Sequence, residues 1–257
     1  MRIAVAGGTG AVGKHVVAAL HRQGHEPVVL ARSTGVDLST GAGLDQALKG
    51  AQAVIDVSNI ATTSAKRSRA FFETATGYLL AASARAGVSH HVALSIVGIE
   101  RVPGSYYAGK LAQEQLIRAG SVPWTVLRAT QFHEFAGQIL ARTPGPIAVV
   151  PQIRTQPIAA REVAASLAEL ATGSAQGLLP DLAGPEQHEL VELCRRVLRC
   201  QGSRRRVLPV RLPGADGRAI RTGALLPTMP GRRGRLTFDA WLGSADRAHL
   251  DSARSPS

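Results

Sequence analysis

The chain has 257 residues, of which 45% are apolar and 19% charged, a composition typical of globular proteins rather than disordered ones. Its Lys and Arg residues outnumber its Asp and Glu residues by 30 to 18, which gives a formal net charge of +12. The only two cysteines, Cys194 and Cys200, exclude a disulfide framework and a zinc site, so we interpret them as reduced thiols of a cytoplasmic protein.

The first residues run from Met1 through a short apolar stretch straight into glycines, without the apolar segment and cleavage site of a signal peptide. No run approaches the roughly 18 apolar residues that a membrane-spanning helix needs. We therefore expect a cytoplasmic protein that does not associate with membranes.

Predicted strands and helices alternate in the first half of the chain. Strands are expected at Arg2–Ala6 and at residues 27–30, 53–57, 91–96 and 124–127. Helices are expected at residues 11–23, 45–49, 69–86, 106–119 and 132–140. This alternation is typical of βαβ units, so the pattern predicts an α/β fold with a parallel sheet covered by helices on both faces.

The pattern loosens after Pro144. Helices are expected at residues 161–172 and 186–200 and a short element at residues 236–242, whereas residues 204–235 show no clear period. Residues 195–235 contain twelve arginines against one acid, Asp216, which indicates either a docking face or a solvated face. We favour the solvated face and expect no nucleic-acid partner, because no nucleic-acid motif accompanies the charge and aromatic residues are only 4% of the chain.

A glycine-rich turn joins the first predicted strand to the first helix. Gly7, Gly10 and Gly13 stand three residues apart. The first glycine allows a sharp turn, the second allows the backbone to approach a pyrophosphate, and the third allows close packing of the helix. The helix start presents unpaired N–H groups to phosphates. The turn therefore predicts dinucleotide binding in a doubly wound sheet of Rossmann type.

The alternative interpretation of this turn is a binding site for a nucleoside triphosphate. Gly8 to Lys14 also fits the front of a P-loop, and Asp56 could supply the acid on a neighbouring strand. The residue after Lys14 is however His15, where that site needs a Ser or Thr hydroxyl for magnesium. We therefore favour the dinucleotide interpretation.

Arg32 stands at the tip of the second predicted strand, and residues 31–34 contain no acid to bind ribose hydroxyls. An arginine at this position accommodates the 2′-phosphate of NADP, so we expect NADP(H) rather than NAD as the cofactor. The alternative is that Arg32 is an ordinary arginine of an exposed loop.

Tyr106 and Lys110 are four residues apart at the start of a predicted helix and so share one face. Ser95 ends the preceding strand, and strand carboxyl ends face the ligand crevice of such sheets. This set predicts carbonyl reduction: Tyr106 donates a proton, Lys110 lowers the pKa of Tyr106 and holds the nicotinamide ribose, and Ser95 binds the substrate oxygen. The adjacent Tyr107 leaves open which tyrosine faces the crevice, and so short a pattern also occurs by chance.

Several segments together resemble the atypical, NmrA-like NAD(P)H-binding branch of the short-chain dehydrogenase/reductase superfamily. They are IAVAGGTGAVGKHVV, AVIDVSN, HHVALSIVG, YYAGKLAQEQLI and WTVLRATQFHEF, and the likeness spans residues 2–134. One departure is that Ser95 precedes Tyr106 by eleven residues, closer than the superfamily's serine. This departure leaves the role of Ser95 open.

The resemblance implies a set of cofactor-binding residues. The diphosphate contacts are Gly7, Thr9, Gly10, Ala11, Val12 and Gly13. Arg32 meets the adenosine end, and Asp37 and Leu38, after a third short strand, border the adenine. Ser58 and Asn59 line the cofactor, and Lys110 touches the nicotinamide ribose. Gln131 and Phe132 lie at the nicotinamide or substrate side.

Four further polar residues do not add a catalytic or metal site. His133 and Glu134 are adjacent on a predicted helix and point in different directions, so we interpret them as structural or pocket-lining residues. His90 and His91 begin a strand and are expected at its edge rather than as metal ligands, and no other spacing suits a metal.

We expect three regions: residues 1–155 as the NAD(P)-binding core, residues 156–243 as a cap of the same structural domain that shapes the substrate pocket, and residues 244–257 as a flexible tail. The leading hypothesis is an NADP-dependent oxidoreductase that acts on a small carbonyl or quinone-like substrate. The alternatives are a non-catalytic NADP(H)-binding redox sensor and an epimerase or isomerase that retains its cofactor. The sequence leaves the substrate and the oligomeric state open.

Overall fold

The computed structural model describes residues 1–247, so most of the tail predicted at residues 244–257 lies outside the described residues. The chain divides into two compact units. The first comprises Met1–Arg128 and Arg161–Pro180, and the second comprises Ala129–Ala160 and the described residues from Asp181 onward. The boundary expected at residue 155 stays a prediction.

In chain order, the strands of the described residues are β1 (Arg2–Ala6), β2 (Glu26–Leu30), β3 (Ala53–Asp56), β4 (His90–Ile96), β5 (Trp124–Ala129), β6 (Ile147–Pro151), β7 (Arg154–Thr155), β8 (Gly177–Leu178), β9 (Leu182–Ala183), β10 (His188–Glu189), β11 (Arg206–Val210) and β12 (Arg232–Arg233). The helices are α1 (Gly13–Arg22), α2 (Leu44–Ala47), α3 (Ala65–Arg85), α4 (Tyr107–Ala119), α5 (Phe135–Arg142), α6 (Ala160–Ala171), α7 (Leu190–Cys200), α8 (Gly214–Arg221) and α9 (Phe238–Leu242).

The first unit is built on a parallel sheet. Its strands lie in the order β5-β4-β3-β1-β2, with β8 beside β5. Val5 of β1 pairs with Val29 of β2 on one side and Ile55 of β3 on the other, so β1 is an interior strand. Its residues from Ile3 to Ala6 are fully buried, which explains why this part of the strand is continuously apolar. The predicted α/β fold of Rossmann type is confirmed.

Two expectations about the sheet were wrong. His90 and His91 are 4% and 0% exposed rather than at an edge, because β4 lies between β3 and β5. His90 accordingly finds partners inside the unit, Thr125 Oγ1 at 2.8 Å and the Gly173 carbonyl at 3.0 Å. No third strand precedes Asp37 in the described sheet, which ends at β2; Asp37 instead forms an isolated bridge with Ala42.

The second unit combines small strand pairs with helices. Strand β6 pairs with β11 in parallel, β7 with β10 in antiparallel, and β9 with β12 in parallel, while α7 packs against α5. The helix predicted from residue 132 begins only at Phe135, because Phe132 pairs with Ile158 in a bridge. The helix predicted from residue 186 begins at Leu190, since His188 and Glu189 form β10.

Residues 204–235 are more regular than their sequence indicated, since they form β11, α8 and β12. Arg205 connects this stretch to the end of α5 and the loop that follows it, by donating to the carbonyls of Leu140, Thr143 and Gly145. No helix of the described residues is long and apolar enough to cross a membrane.

Candidate cofactor site and active site

The glycine turn after β1 is shaped so that side chains do not fit at two of its positions. Gly7 has φ +77°, and a Cβ on it would lie 2.8 Å from the Val57 carbonyl oxygen, at the end of β3. A Cβ on Gly13 would lie 2.1 Å from the carbonyl oxygen of Gly7. The turn therefore packs on itself and on the neighbouring strand end through backbone atoms.

The apex of the turn exposes backbone donors. The Gly10 N–H closes the turn on the Gly7 carbonyl at 2.9 Å. The N–H groups of Thr9, Ala11 and Val12 donate to no acceptor within residues 1–247, and Thr9 and Ala11 are exposed. Helix α1 starts directly behind them, so these donors and the helix dipole fit a diphosphate.

Asp56, the acid that a triphosphate site would use, is turned into the protein. It is 1% exposed and accepts from Gln113 Nε2 at 2.8 Å and from the Ser58 N–H at 2.9 Å. Both carboxylate oxygens thus have protein donors, which leaves the dinucleotide interpretation of the turn favoured.

The region predicted for the adenosine end follows β2. Arg32 opens a short 3-10 turn, Arg32–Thr34, and is exposed. The Asp37 carboxylate accepts from the N–H and hydroxyl of Ser39, and these bonds, with a smaller contribution from Arg32, lower the pKa of Asp37. Leu38 packs against the core below. Asp37 is therefore hydrogen-bonded within its own turn, whereas the side chain of Arg32 is accessible to a ligand.

Ser58 and Asn59 follow β3, beside the glycine turn. Ser58 is 6% exposed, and its hydroxyl has no partner in the described part of the chain. Asn59 Oδ1 accepts from the Tyr106 hydroxyl at 2.7 Å. The Val57 to Asn59 segment thus touches the glycine turn through its backbone and Tyr106 through Asn59.

Tyr106 stands at the N-terminus of α4, with its ring edge-on to Phe72 of α3 at 5.9 Å between centroids. Burial, and to a smaller extent Tyr107, raises the pKa of Tyr106 above its ordinary value. The pKa of Tyr106 is thus raised, not lowered by Lys110 as the sequence predicted. The hydroxyl carries its proton at neutral pH and is a proton donor.

Lys110 lies one turn further along α4 and is 4% exposed. Its ammonium group donates to the Leu94 carbonyl at 2.6 Å and to Gln113 Oε1, and it lies 4.8 Å from the centroid of the Phe72 ring. Burial lowers the pKa of Lys110 to about 8, against the opposing effect of Asp56 and Glu114. Phe72 is thus in contact with both members of the predicted Tyr106–Lys110 pair.

Ser95 is placed apart from the Tyr106 hydroxyl. It is 3% exposed, and its hydroxyl lies near Glu114 of α4 but makes no hydrogen bond within residues 1–247. Burial by itself raises the pKa of Glu114, but the hydrogen bonds from Arg128, with smaller effects of the nearby Ser95 hydroxyl and of Arg118, outweigh it, so the carboxyl is ionised. The Tyr106 hydroxyl thus donates to Asn59, whereas the Ser95 hydroxyl lies near Glu114. The catalytic role of Ser95 stays a prediction.

Gln131 and Phe132 belong to the second unit. Gln131 Oε1 accepts from Thr155 Oγ1 at 2.8 Å, while its Nε2 is buried and has no partner among residues 1–247. Phe132 is half-buried. Their predicted place at the nicotinamide or substrate side stays a prediction.

His133 is buried in the second unit in an aromatic cluster of His133, His188, Phe238 and Trp241. Its ring lies 5.5 Å from those of both Phe238 and Trp241, and its Nε2 donates to the Leu236 carbonyl at 3.0 Å. The cluster joins α9 to the segment before α5, which is a structural role.

Sequence reasoning missed Phe72 and Gln113 altogether. Phe72 falls in an ordinary helical pattern, and Gln113 reads as a solvent-facing residue of α4 although it is 1% exposed. The only feature of the sequence that pointed to them was Asp56, a charged residue at the end of an otherwise apolar strand, which needs a buried partner.

Comparison with known proteins supports the class that this geometry indicates. The sequence profile of a family described as NAD(P)H-binding matches residues 34–173, more than half of the chain. The chain belongs to this NAD(P)H-binding family. No curated protein matches the chain by sequence.

Solved structures share the fold. The UDP-glucose 4-epimerase of Thermus thermophilus in complex with NAD has a TM-score of 0.68 at 19% identity, over 95% of this chain and 100% of that chain. A short-chain dehydrogenase/reductase superfamily protein from Agrobacterium tumefaciens with bound NAD has a TM-score of 0.69 at 20% identity, over 98% of both chains. An NADPH-dependent quinone oxidoreductase from Escherichia coli has a TM-score of 0.65 at 16% identity, over 94% of this chain and 98% of that chain.

The family match confirms the NAD(P)H-binding part of the resemblance, and the solved structures, which include a short-chain dehydrogenase/reductase superfamily protein, share the fold of this chain. The glycine turn precedes the matched residues 34–173, so it is supported by its own geometry.

Proposed function

We propose that the protein is a cytoplasmic NADP(H)-dependent oxidoreductase that transfers a hydride to a small carbonyl or quinone-like substrate. The observation that carries the proposal is the hydrogen bond from the Tyr106 hydroxyl to Asn59. Because Gly7 packs against the Val57 and Ser58 backbone, this bond brings a protonated phenol to the edge of the sheet that holds the glycine turn.

Each predicted residue then has a defined task. The reduced nicotinamide supplies the hydride when it is bound. Tyr106 donates its proton to the carbonyl oxygen that becomes an alcohol, and water restores the proton to the phenolate. Lys110 holds the nicotinamide ribose. That Ser95 binds the substrate oxygen remains a prediction. Its position near Glu114 favours instead a structural role in the packing of α4 on the sheet.

The choice of NADP over NAD rests on Arg32. This arginine is exposed after β2, and the one nearby acid, Asp37, is held by Ser39. Among the similar structures, the Escherichia coli protein is NADPH-dependent, whereas the Thermus and Agrobacterium proteins contain NAD. Cofactor choice therefore needs a direct measurement.

The test is a titration of the purified protein with NADPH, NADH and ATP. We expect NADPH to bind at least about tenfold more tightly than NADH, roughly 1.4 kcal/mol, with no competition from ATP. Arg32→Ala should remove the preference for NADPH, while Arg22→Ala, at the exposed end of α1, should not. An equal loss of NADPH and NADH affinity in Arg32→Ala would contradict the assignment.

Turnover is tested by NADPH oxidation against a panel of carbonyl and quinone acceptors. We expect Tyr106→Phe to keep NADPH affinity and to lose roughly 100-fold in kcat, in line with removal of a general acid. Tyr107→Phe is the matched control and should retain turnover. Unchanged turnover in Tyr106→Phe removes Tyr106 from the mechanism.

A redox sensor is the second candidate, and one observation favours it. The Ser95 hydroxyl, predicted to bind the substrate oxygen, is 3% exposed and lies near Glu114, which suits a site that binds NADP(H) without turnover. Tight NADPH binding with no oxidation by any acceptor supports this candidate. Nicotinamide that stays bound through purification points instead to the epimerase alternative.

A further inference from the structure

A buried polar layer lies between helix α4 and strands β3 and β4. Its members are Asp56, Ser95, Lys110, Gln113 and Glu114, each at most 4% exposed. Helices that cover a parallel sheet normally pack on it with apolar side chains, and buried charges persist only where they are paired. The charges of Lys110 and Glu114 are therefore set by burial together with the partners that each finds inside the layer.

One chain of bonds runs through the layer from Lys110 to Asp56. The Lys110 ammonium donates to Gln113 Oε1, and Gln113 Nε2 donates to Asp56 Oδ2 at 2.8 Å. The second carboxylate oxygen of Asp56 accepts from the Ser58 N–H at 2.9 Å. A single amide thus bridges a buried cation on α4 and a buried anion at the end of β3.

The Gln113 amide satisfies both neighbours in one orientation only. An ammonium group can only donate and a carboxylate can only accept, whereas the amide has one accepting and one donating end. Turning the amide around would set donor against donor at Lys110 and acceptor against acceptor at Asp56. The negative charge of Asp56 therefore fixes the amide oxygen toward the Lys110 ammonium.

We propose that Asp56 and Gln113 are positioning residues for Lys110, in that the Asp56 carboxylate, acting through the Gln113 amide, keeps the Lys110 side chain charged and fixed in direction. The Leu94 carbonyl and Gln113 accept two of the three ammonium protons, which in the described part of the chain leaves one donor for a ribose hydroxyl. Only this contact between Lys110 and a ribose hydroxyl rests on the proposed function.

Other groups around Lys110 act on its charge as well. Glu114, on the same helix, favours the charged form but is itself paired with Arg128 and Arg118. His91 of β4 lies near Asp56, and burial lowers its pKa, so it is neutral at pH 7. From α3 the layer receives the ring of Phe72, which carries no charge. Asp56 is therefore the remaining anion that favours the charged form of Lys110, and Gln113 is hydrogen-bonded to both groups.

The charge of Lys110 can be measured directly in the full-length protein, because the chain has only four lysines, Lys14, Lys49, Lys66 and Lys110. With ¹⁵N-labelled lysine, the side-chain nitrogen signals are followed by NMR as the pH is raised, without any cofactor. Lys110→Arg identifies the Lys110 signal by its loss. We expect Lys110 to titrate near pH 8 in the unmodified protein.

The variants are Gln113→Leu, which removes the bridge, and Asp56→Asn, which removes the charge and keeps the shape. Each should lower the titration midpoint of Lys110 by about one pH unit, a tenfold change in the deprotonation equilibrium. The double variant should add little to either, because both act through one chain of bonds. Gln156→Leu is the matched control: Gln156 is also buried, 5% exposed, but donates to the Gly184 carbonyl in the second unit. An unchanged midpoint in Gln113→Leu and Asp56→Asn overturns the proposal.

NADPH titrations over the same pH range separate this inference from the proposed function. If Lys110 binds the cofactor as a cation, NADPH affinity should fall above pH 8, and in Gln113→Leu this fall should move to lower pH by the same amount as the NMR midpoint. An NMR shift without a matching shift in affinity supports the positioning of Lys110 and contradicts its ribose contact. Absence of NADPH binding at every pH contradicts the proposed function, while the NMR titration still decides the positioning.

Discussion

The buried polar layer of the first unit and the aromatic cluster of the second unit both keep titratable side chains away from water, by opposite means. In the layer, charged groups are buried as pairs: Arg128 lies 2.9 Å from Glu114, and Lys110 reaches Asp56 through Gln113. In the cluster, His133 is 1% exposed, and burial lowers its pKa to about 4. The charged groups of the layer are stabilised by oppositely charged or hydrogen-bonding partners, whereas the cluster keeps His133 uncharged.

This difference predicts how each region fails. A paired buried charge is stable until its partner is removed, after which an uncompensated ion is left in a poorly solvated place. A neutral buried histidine is stable until it must take up a proton. The layer should therefore be sensitive to substitution at neutral pH, and the cluster should be sensitive to acid.

The largest expected effect is that of Arg128→Met. Glu114 would lose its principal donor while remaining buried, so the free energy of unfolding at pH 7 should fall by about 3–5 kcal/mol. Urea unfolding followed by circular dichroism measures this change. Arg118→Met removes another cation from the same carboxylate, but the Arg118 side chain is 43% exposed, so its loss should cost less than about 1 kcal/mol. Equal losses in the two variants would contradict the compensation argument.

The next effect is the response of the aromatic cluster to acid. An unfolded histidine binds a proton near pH 6.5, whereas folded His133 resists protonation down to about pH 4, so in this window the unfolded state binds more protons. Stability should therefore fall as the pH drops from 6.5 to 4, by roughly 3 kcal/mol at about 1.4 kcal/mol per pH unit, with no further loss from this group below pH 4.

The cluster can be observed separately because the protein has two tryptophans, Trp124 in the first unit and Trp241 in the cluster. In a Trp124→Phe background, Trp241 fluorescence reports urea unfolding at each pH. Adding His133→Phe should flatten the profile between pH 6.5 and 4, whereas His21→Phe, at an exposed site on α1, should not. A profile that keeps its slope in His133→Phe would assign the acid sensitivity to another group.

The carboxylate of the layer responds in a different window. The pKa of Glu114 is lowered in the folded protein, so its contribution to stability is complete above the pKa of an unfolded carboxyl group and is lost only as the pH falls through the folded value. The acid loss of the layer should thus follow that of the cluster at lower pH, and Glu114→Gln should remove the later step while leaving the earlier one.

What could be predicted from the sequence depended on how local the signal was. Gly7, Gly10 and Gly13 indicate their turn within seven residues, and Tyr106 and Lys110 indicate their shared helix within five. The partners of Lys110 gave no such signal, because Gln113 meets Asp56 across 57 positions of the chain. Strands β6 and β11 were missed for the same reason, since they pair with each other from distant parts of the chain. Each also contains a proline, which weakens the local signal for a strand.

For Ser95, the interpretation from the sequence differs from the one that its surroundings in the structure indicate. Of the substitutions discussed, Ser95→Ala should have the smallest effect. Chain position at the end of β4 predicts a substrate contact, while its hydroxyl faces Glu114 in the layer. If Ser95 serves the layer, the variant loses about 1 kcal/mol of stability, the acid loss assigned to Glu114 moves to higher pH, and kcat is unchanged. Ser83→Ala is the matched control, because Ser83, like Ser95, is buried and has a hydroxyl without a hydrogen-bond partner within residues 1–247, but it has no effect on the pKa of Glu114. A drop in kcat with the acid profile unaltered would instead return Ser95 to the chemistry, and would mean that its hydroxyl reaches the substrate although the Glu114 carboxylate competes for it.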